Sequence, residues 1–181
     1  MASPAEPTGG RGSFPELRIG LGTDVHAFAA DRRLWLGCVE IDHRLGLAGH
    51  SDADVLVHAV VDALLGAMGL RDIGVLYPPG EPRWAGYPGR SFLADMNRRL
   101  AEEGWELVNL DCVVMAERPK LSPYIPEMIR RMAEALGVAP GRVNVKATTA
   151  EGLGFTGREE GILAQAVALL RKANRSGSPV V

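Results

Sequence analysis

From Asp52 to Met68 the chain reads Asp-Ala-Asp-Val-Leu-Val-His-Ala-Val-Val-Asp-Ala-Leu-Leu-Gly-Ala-Met, and no other stretch constrains the fold as much. Val57, Val60, Val61, Leu64 and Leu65 recur at helical spacing, which predicts an amphipathic or largely buried helix over roughly 52–68. Ser51 or Asp52 suits its N-cap, and acidic residues crowd its first turn, where the helix dipole favours them. His58 lies inside it, with Asp54 and Asp62 one turn before and one turn after, close enough to touch the ring. Two readings of that arrangement stand side by side. One is a partly buried histidine satisfied by a helical aspartate. The other is a metal ligand whose second ring nitrogen is held by such a partner.

A second segment bears on that choice. Leu17-Arg18-Ile19-Gly20-Leu21 reads as a strand, over about 17–23, and Gly22-Thr23-Asp24-Val25-His26 follows it. Residues two apart on a strand point to the same face, so Asp24 and His26 present a carboxylate and an imidazole side by side at its end. A hard oxygen and a borderline nitrogen at that spacing suit a zinc ion.

Around these segments the chain alternates strand and helix patterns. Further strands are predicted near 33–36 and 38–42, a hairpin broken at Gly37. A helix over about 90–103 carries Phe92, Leu93, Met96 and Leu100 on one face and ends at Gly104. A strand follows at 105–115, then a helix at 125–136 closed by Gly137, then a strand at 143–147. The segment from Gly161 to Leu170 favours helix by propensity, yet its short apolar run equally suits a buried strand. The prolines and glycines of 71–89 rule out continuous helix or strand, and a loop that long is usually a lid or binding loop. Helix-containing crossovers between strands indicate an α/β (α+β) fold, a sheet covered by helices, in a single domain over 17–173. Residues 1–16, rich in Pro, Gly and Ser, are expected to be a disordered tail, and 174–181 a short C-terminal one.

With 181 residues, a formal net charge of -2 argues against nucleic-acid binding driven by bulk electrostatics and leaves only a local basic patch for such a role. No apolar run reaches the length of a membrane span, and the N-terminus lacks the pattern of a secretory signal. Cys38 and Cys112 sit in apolar segments as small buried hydrophobes rather than a disulfide framework, so the cytoplasm is the expected compartment.

Two loops carry further chemistry. Thr148-Thr149-Ala150-Glu151-Gly152-Leu153-Gly154-Phe155-Thr156-Gly157-Arg158 leaves a strand with hydroxyls, a carboxylate and glycines, a composition that lets backbone approach a phosphate. Glu151 suits Mg²⁺, which takes few carboxylates alongside phosphate oxygens and water. A glycine-rich turn capped by its own threonines is the plain alternative. Ala116-Glu117-Arg118-Pro119-Lys120-Leu121-Ser122-Pro123 leads from a strand into a helix on an extended, rigid backbone able to present main-chain groups to a base edge.

Taken in order, G-x-D-V-H-A-F, H-S-D-x-D-V-x-x-H-A-x-x-D-A-L-L-G-A, D-I-G, P-K-L-x-P-Y-I-P and V-N-V-K-A-T-T-x-E-x-L-G-F-T-G-R strongly resemble the 2-C-methyl-D-erythritol 2,4-cyclodiphosphate synthase family. The resemblance runs from Leu17 to about Ala173. It implies conversion of a CDP-linked methylerythritol 2-phosphate to the cyclic diphosphate with release of CMP, in the non-mevalonate isoprenoid pathway. The substrate's own phosphate is the nucleophile, which agrees with the lack of a Ser-His-Asp or Cys-His signature. It implies zinc on Asp24, His26 and His58, and a second ion, Mg²⁺ or Mn²⁺, held by Glu151. It matches His50 and Ser51 to the phosphate side, Asp72 and Gly74 to the ribose, and Ala116, Pro119, Lys120, Leu121 and Ala147 to the cytosine pocket. Thr148 and Thr149 match diphosphate-binding threonines. It further implies a homotrimer with sheets around a threefold axis, sites shared between chains, and the 161–171 segment as a strand. Phe155 and Arg158 fall near that axis, where an isoprenoid diphosphate can bind. The chain departs from the pattern after Tyr77-Pro78. Pro79 stands where many members carry an aspartate, Glu81 is the nearest acid, and Trp84 takes the aromatic position. A zinc phosphohydrolase and a non-catalytic diphosphate-binding trimer are the rival functions.

Overall fold

The structure, a computed structural model, describes residues 16–173. The expected tails lie outside the described residues, apart from Glu16, whose carbonyl accepts from Lys172 N at 2.9 Å. In chain order the elements are β1 (Leu17–Ala29), β2 (Leu34–Leu36), β3 (Val39–Ile41), β4 (Gly46–Leu47), α1 (Val55–Met68), α2 (Ile73–Leu76), α3 (Gly89–Glu102), β5 (Trp105–Met115), α4 (Ile125–Ala135), β6 (Val143–Thr148), α5 (Gly154–Gly157) and β7 (Gly161–Lys172). The main sheet is mixed, ordered β4-β1-β7-β5-β6, with β5 and β6 parallel and the other pairs antiparallel. β2 and β3 form a separate hairpin.

One face of this sheet carries helices α1, α3 and α4. The close approach of α1 has a specific cause. β1 places Gly20 and Gly22 on the helix side, where an added Cβ would lie 1.9 Å from Ala63 O and 1.9 Å from Ala59 O, respectively. Beside them in register, β7 places Ala168, Ala166 and Ala164, all fully buried. Small residues on two adjacent strands let the α1 backbone rest almost on the sheet. The alanines that raise helix propensity in 161–170 are therefore the floor beneath a helix, and the segment is a strand.

Several boundaries differ from expectation. α1 begins at Val55 and is capped by Asp54, because Ala53 takes φ +60, a left-handed backbone that ends any regular run before it. Ser51 and Asp52 thus lie outside the helix, and its first turn holds no acidic residue. Asp54 is fully buried and accepts from Gly37 N (2.9 Å), Cys38 N (2.7 Å) and Val57 N (3.1 Å). β1 continues six residues past Thr23, so Asp24 and His26 lie within the strand rather than at its end. Within 71–89 the backbone makes the one-turn α2 and a 3₁₀ turn at Pro82–Trp84.

The opposite sheet face has no helix among the described residues. Leu17, Ile19, Leu21 and Val25 on β1 and Val167 on β7 are exposed there. Ile19 retains 71% of its surface in water and Leu21 64%, which makes this an apolar patch and not a scatter of single residues.

Candidate active site

The descent of α1 along β1 builds the first half of the site. The glycine contacts run from Gly20 against Ala63 to Gly22 against Ala59, so Asp24 comes next to His58. Asp24 and His26 project to the helix side, and His58 comes down between them. His26 Nε2 and His58 Nδ1 are 3.0 Å apart, His58 Nδ1 and Asp24 Oδ2 3.0 Å, and His26 Nε2 and Asp24 Oδ2 3.1 Å. Three donor atoms at nearly equal spacing form one face of a tetrahedron. Bonds of about 2.0–2.1 Å to a central ion imply edges of roughly 3.3–3.4 Å, so this face fits a small divalent transition-metal ion with slight opening. Among the described residues, these form the cluster of three or more such side chains placed to hold one metal ion.

The second nitrogen of His58 has a partner other than the one its neighbours in sequence suggest. Asp54 is spent on the hairpin and helix amides. Asp62 accepts from Ile73 N at 2.7 Å. Instead, Ser51 Oγ lies 3.1 Å from His58 Nε2 and also accepts from Ala53 N at 3.1 Å. With a metal on Nδ1, His58 Nε2 would carry the proton and donate to Ser51, which would keep its own hydroxyl proton for a group in the cleft; without one, Nδ1–H donates to Asp24. Burial alone would raise the Asp24 carboxyl. Hydrogen bonds and charge from His26 and His58 outweigh it and hold the carboxyl well below the usual range. Asp24 is therefore an anion at all physiological pH values.

This triad opens into a cleft of about 220 Å³ lined also by His50, Ser51, Ile73, Gly74, Tyr77, Pro79, Trp84 and Phe92. Its far wall is an aromatic cluster. Tyr77 meets Trp84 and Phe92 edge-on at 5.0 and 4.7 Å, and Phe92 meets the His58 ring at 5.7 Å. The Tyr77 hydroxyl donates to Asp95 on α3, which fixes the ring. Glu81 faces the cleft only through its carbonyl, 3.0 Å from His50 Nε2, while its carboxylate pairs with Arg83 at 2.6 Å. Asp72 caps α2 through Val75 N at 3.1 Å and lies beside this cleft with Gly74.

The second half lies elsewhere. Ala116, Pro119, Lys120, Leu121, Ala147, Thr148 and Thr149 line one separate cleft of about 340 Å³. Glu151 follows it at φ +51, and the Thr149 hydroxyl donates to its carboxylate. Asp24 aligns with Ala164, Ala164 with Val114, and Val114 with Ala147, so the halves sit at the same end of the sheet but three strand spacings apart. That is about 14 Å. Within one chain they do not share a cavity. Phe155 is half-buried in α5, and Arg158 pairs with Glu160 at 2.8 Å.

Two contributions escaped sequence reasoning. Phe92, expected only on the apolar face of its helix, also walls the cleft. Gly20 and Gly22 set the helix height, and isolated glycines inside a strand pattern are the signal that could have found them.

The YgbB family model matches residues 17–171. A protein from Cyanothece sp. named 2-C-methyl-D-erythritol 2,4-cyclodiphosphate synthase is 53% identical over 154 residues, 85% of this chain and 96% of its own length. One of the same name from Ralstonia nicotianae is 52% identical over 161 residues, 89% of this chain and 96% of its own. Among solved structures, the CDP complex of IspF from Plasmodium falciparum is 31% identical with a TM-score of 0.78, covering 90% of this chain and all of that one.

Proposed function

The chain belongs to the YgbB family, and on that premise we propose that it is the enzyme its relatives are named for, a phosphorus–oxygen lyase that closes a CDP-linked methylerythritol 2-phosphate into the 2,4-cyclodiphosphate and releases CMP. The observation that carries this reading is the Asp24–His26–His58 triangle opening into a cleft, with the Ser51 hydroxyl held beside it by His58 and Ala53. In the reaction an oxygen of the substrate's 2-phosphate attacks the β-phosphorus. The bond from that phosphorus to the bridging oxygen breaks, and the oxygen leaves with CMP. No proton need be taken from the nucleophile, so the protein's work is folding the substrate back on itself and shielding converging negative charge.

Each group has a role in that work. Asp24, His26 and His58 would hold zinc, which would supply Lewis-acid polarisation of a phosphate, and Glu151 would hold Mg²⁺ or Mn²⁺, which would supply charge neutralisation. Ser51 donates its free hydroxyl proton to the 2-phosphate side, with His50 beside it. Thr148 and Thr149 bind the diphosphate. Ala116, Pro119, Lys120, Leu121 and Ala147 enclose the cytosine, and Asp72 and Gly74 meet the ribose. Tyr77 and Trp84 close over the methylerythritol. With Glu81 tied to Arg83, its contribution is the carbonyl that orients His50.

A homotrimer with the sheets around a threefold axis completes the site. Two features support it: half-sites about 14 Å apart in one chain, and an apolar sheet face left exposed among the described residues, as a face that packs on another chain would be. Phe155 and Arg158 would then face the axis, where an isoprenoid diphosphate fits. Both cysteines are free and buried, as a cytoplasmic setting permits, and no helix among the described residues is long and apolar enough to cross a membrane. The test is to incubate the protein with the CDP-linked substrate and follow phosphorus NMR. CMP formed together with a cyclic diphosphate supports the reading. CMP with an open-chain 2,4-bisphosphate would make the protein a hydrolase instead.

A further inference from the structure

Glu117 lies in the nucleotide loop and lines the base pocket, and its carboxylate reaches the next loop. Its Oε1 accepts from Ala150 N at 3.0 Å and from Gly152 N at 3.2 Å. Those two amides flank Glu151, whose backbone sits at φ +51, in the left-handed region that a non-glycine residue adopts only when its surroundings hold it there. Gly152 follows at φ +78. Two amides converging on one point form a small anion nest, and here the chain's own carboxylate fills it. We propose that Glu117 is a positioning residue for the second-metal carboxylate. It pins the backbone on both sides of Glu151, and the Thr149 hydroxyl orients the carboxylate from a third direction.

The same contact joins two loops with different tasks. Glu117 belongs to the 116–122 segment that encloses the base, and its partners belong to the loop after β6. Base recognition and metal placement are therefore coupled through one oxygen atom. The inference rests on the reading of Glu151 as a divalent-cation ligand, and the experiment separates the two.

Glu117→Gln keeps an acceptor oxygen and the side-chain length, and Glu117→Ala removes both. Hydrogen exchange at Ala150 and Gly152 reads the contact directly, and Mn²⁺ titrated into zinc-loaded protein with CDP present, followed by electron paramagnetic resonance, reads its consequence. Glu117→Ala should speed exchange at both amides and weaken Mn²⁺ binding by about tenfold, with Glu117→Gln within about threefold of wild type. Unchanged Mn²⁺ binding in Glu117→Ala overturns the proposal, and so does a Glu117→Gln that behaves like Glu117→Ala. Equal Mn²⁺ binding by wild type and Glu151→Gln, with Ala150 and Gly152 still protected, would instead sink the ligand reading of Glu151 and this role with it.

Discussion

Replacing Gly22 by alanine tests whether the height of α1 over β1 sets the metal site. The new Cβ would lie 1.9 Å from Ala59 O, 2.6 Å from Ala63 N and 3.0 Å from Ala59 C. All three are backbone atoms, so no rotamer change relieves the clash. Ordinary contact needs about 3.3 Å, so helix and strand must part by roughly 1.4 Å. His58 is the residue next to Ala59 and moves with it. The edges of the donor triangle, now 3.0–3.1 Å, would then exceed what one ion spans. Overpacking between rigid elements costs about 3 kcal/mol, the upper end of the usual range. For a domain of this size that is a Tm lower by roughly 6–12 °C. Gly66→Ala is the internal control. It lies on the same helix, but its nearest atoms are 3.9 and 4.0 Å away. It should stabilise by about 0.5–1 kcal/mol, since alanine is the better helix former. Differential scanning calorimetry and metal analysis of both variants decide the matter. Gly22→Ala with an unchanged Tm and a full complement of zinc would refute the reasoning.

Other outcomes follow from the same geometry. In trimers mixed from equal amounts of Asp24→Asn and Glu151→Gln chains, about a quarter of interfaces escape both defects. CMP release should return to about that fraction of wild type, and no recovery after proven subunit exchange would place the whole site in one chain. Ile19→Lys puts a charge on the exposed sheet face and should lower the association state in sedimentation velocity while far-ultraviolet dichroism stays unchanged. Asp52 accepts from Gly89 N at 2.5 Å, and burial, then the neighbouring Asp54, pushes its carboxyl up to about 6. A raised carboxyl favours the protonated folded state, so the wild type loses stability as pH climbs from the unfolded value toward 6, on the order of 3 kcal/mol. Asp52→Asn should therefore be the more stable protein in urea at pH 8 and lose that advantage at pH 4; parallel urea midpoints across that range would rule the effect out.

Much of this was legible from residue types alone. The Asp24-x-His26 pair needed only strand periodicity, and the α1 core only helical spacing. The fold class followed from the alternation of the two. What could not be read depended on tertiary partners. Asp54 and Asp62 stand at the right spacing to hold His58, but each instead satisfies backbone amides that folding would otherwise bury unpaired, a stronger demand than a ring nitrogen with a serine at hand. Ala53 at φ +60 carries no sequence signal, so the helix start was set too early. Ala164, Ala166 and Ala168 spoke for helix until the element above them was known. The two half-sites were assigned by motif, and their separation in one chain came only with the strand order.

The clamp made by Asp54 has a consequence for how the molecule opens. One carboxylate serves both the first turn of α1 and the Gly37–Cys38 turn of the β2–β3 hairpin. Neither can come loose without stripping a buried carboxyl group of its partners, so the two should fray as one cooperative unit rather than separately. The helix end that carries His58 is thereby tied to a hairpin that touches no substrate. Fluctuations that begin in the hairpin at residues 34–41 are the ones that would first unseat the histidine.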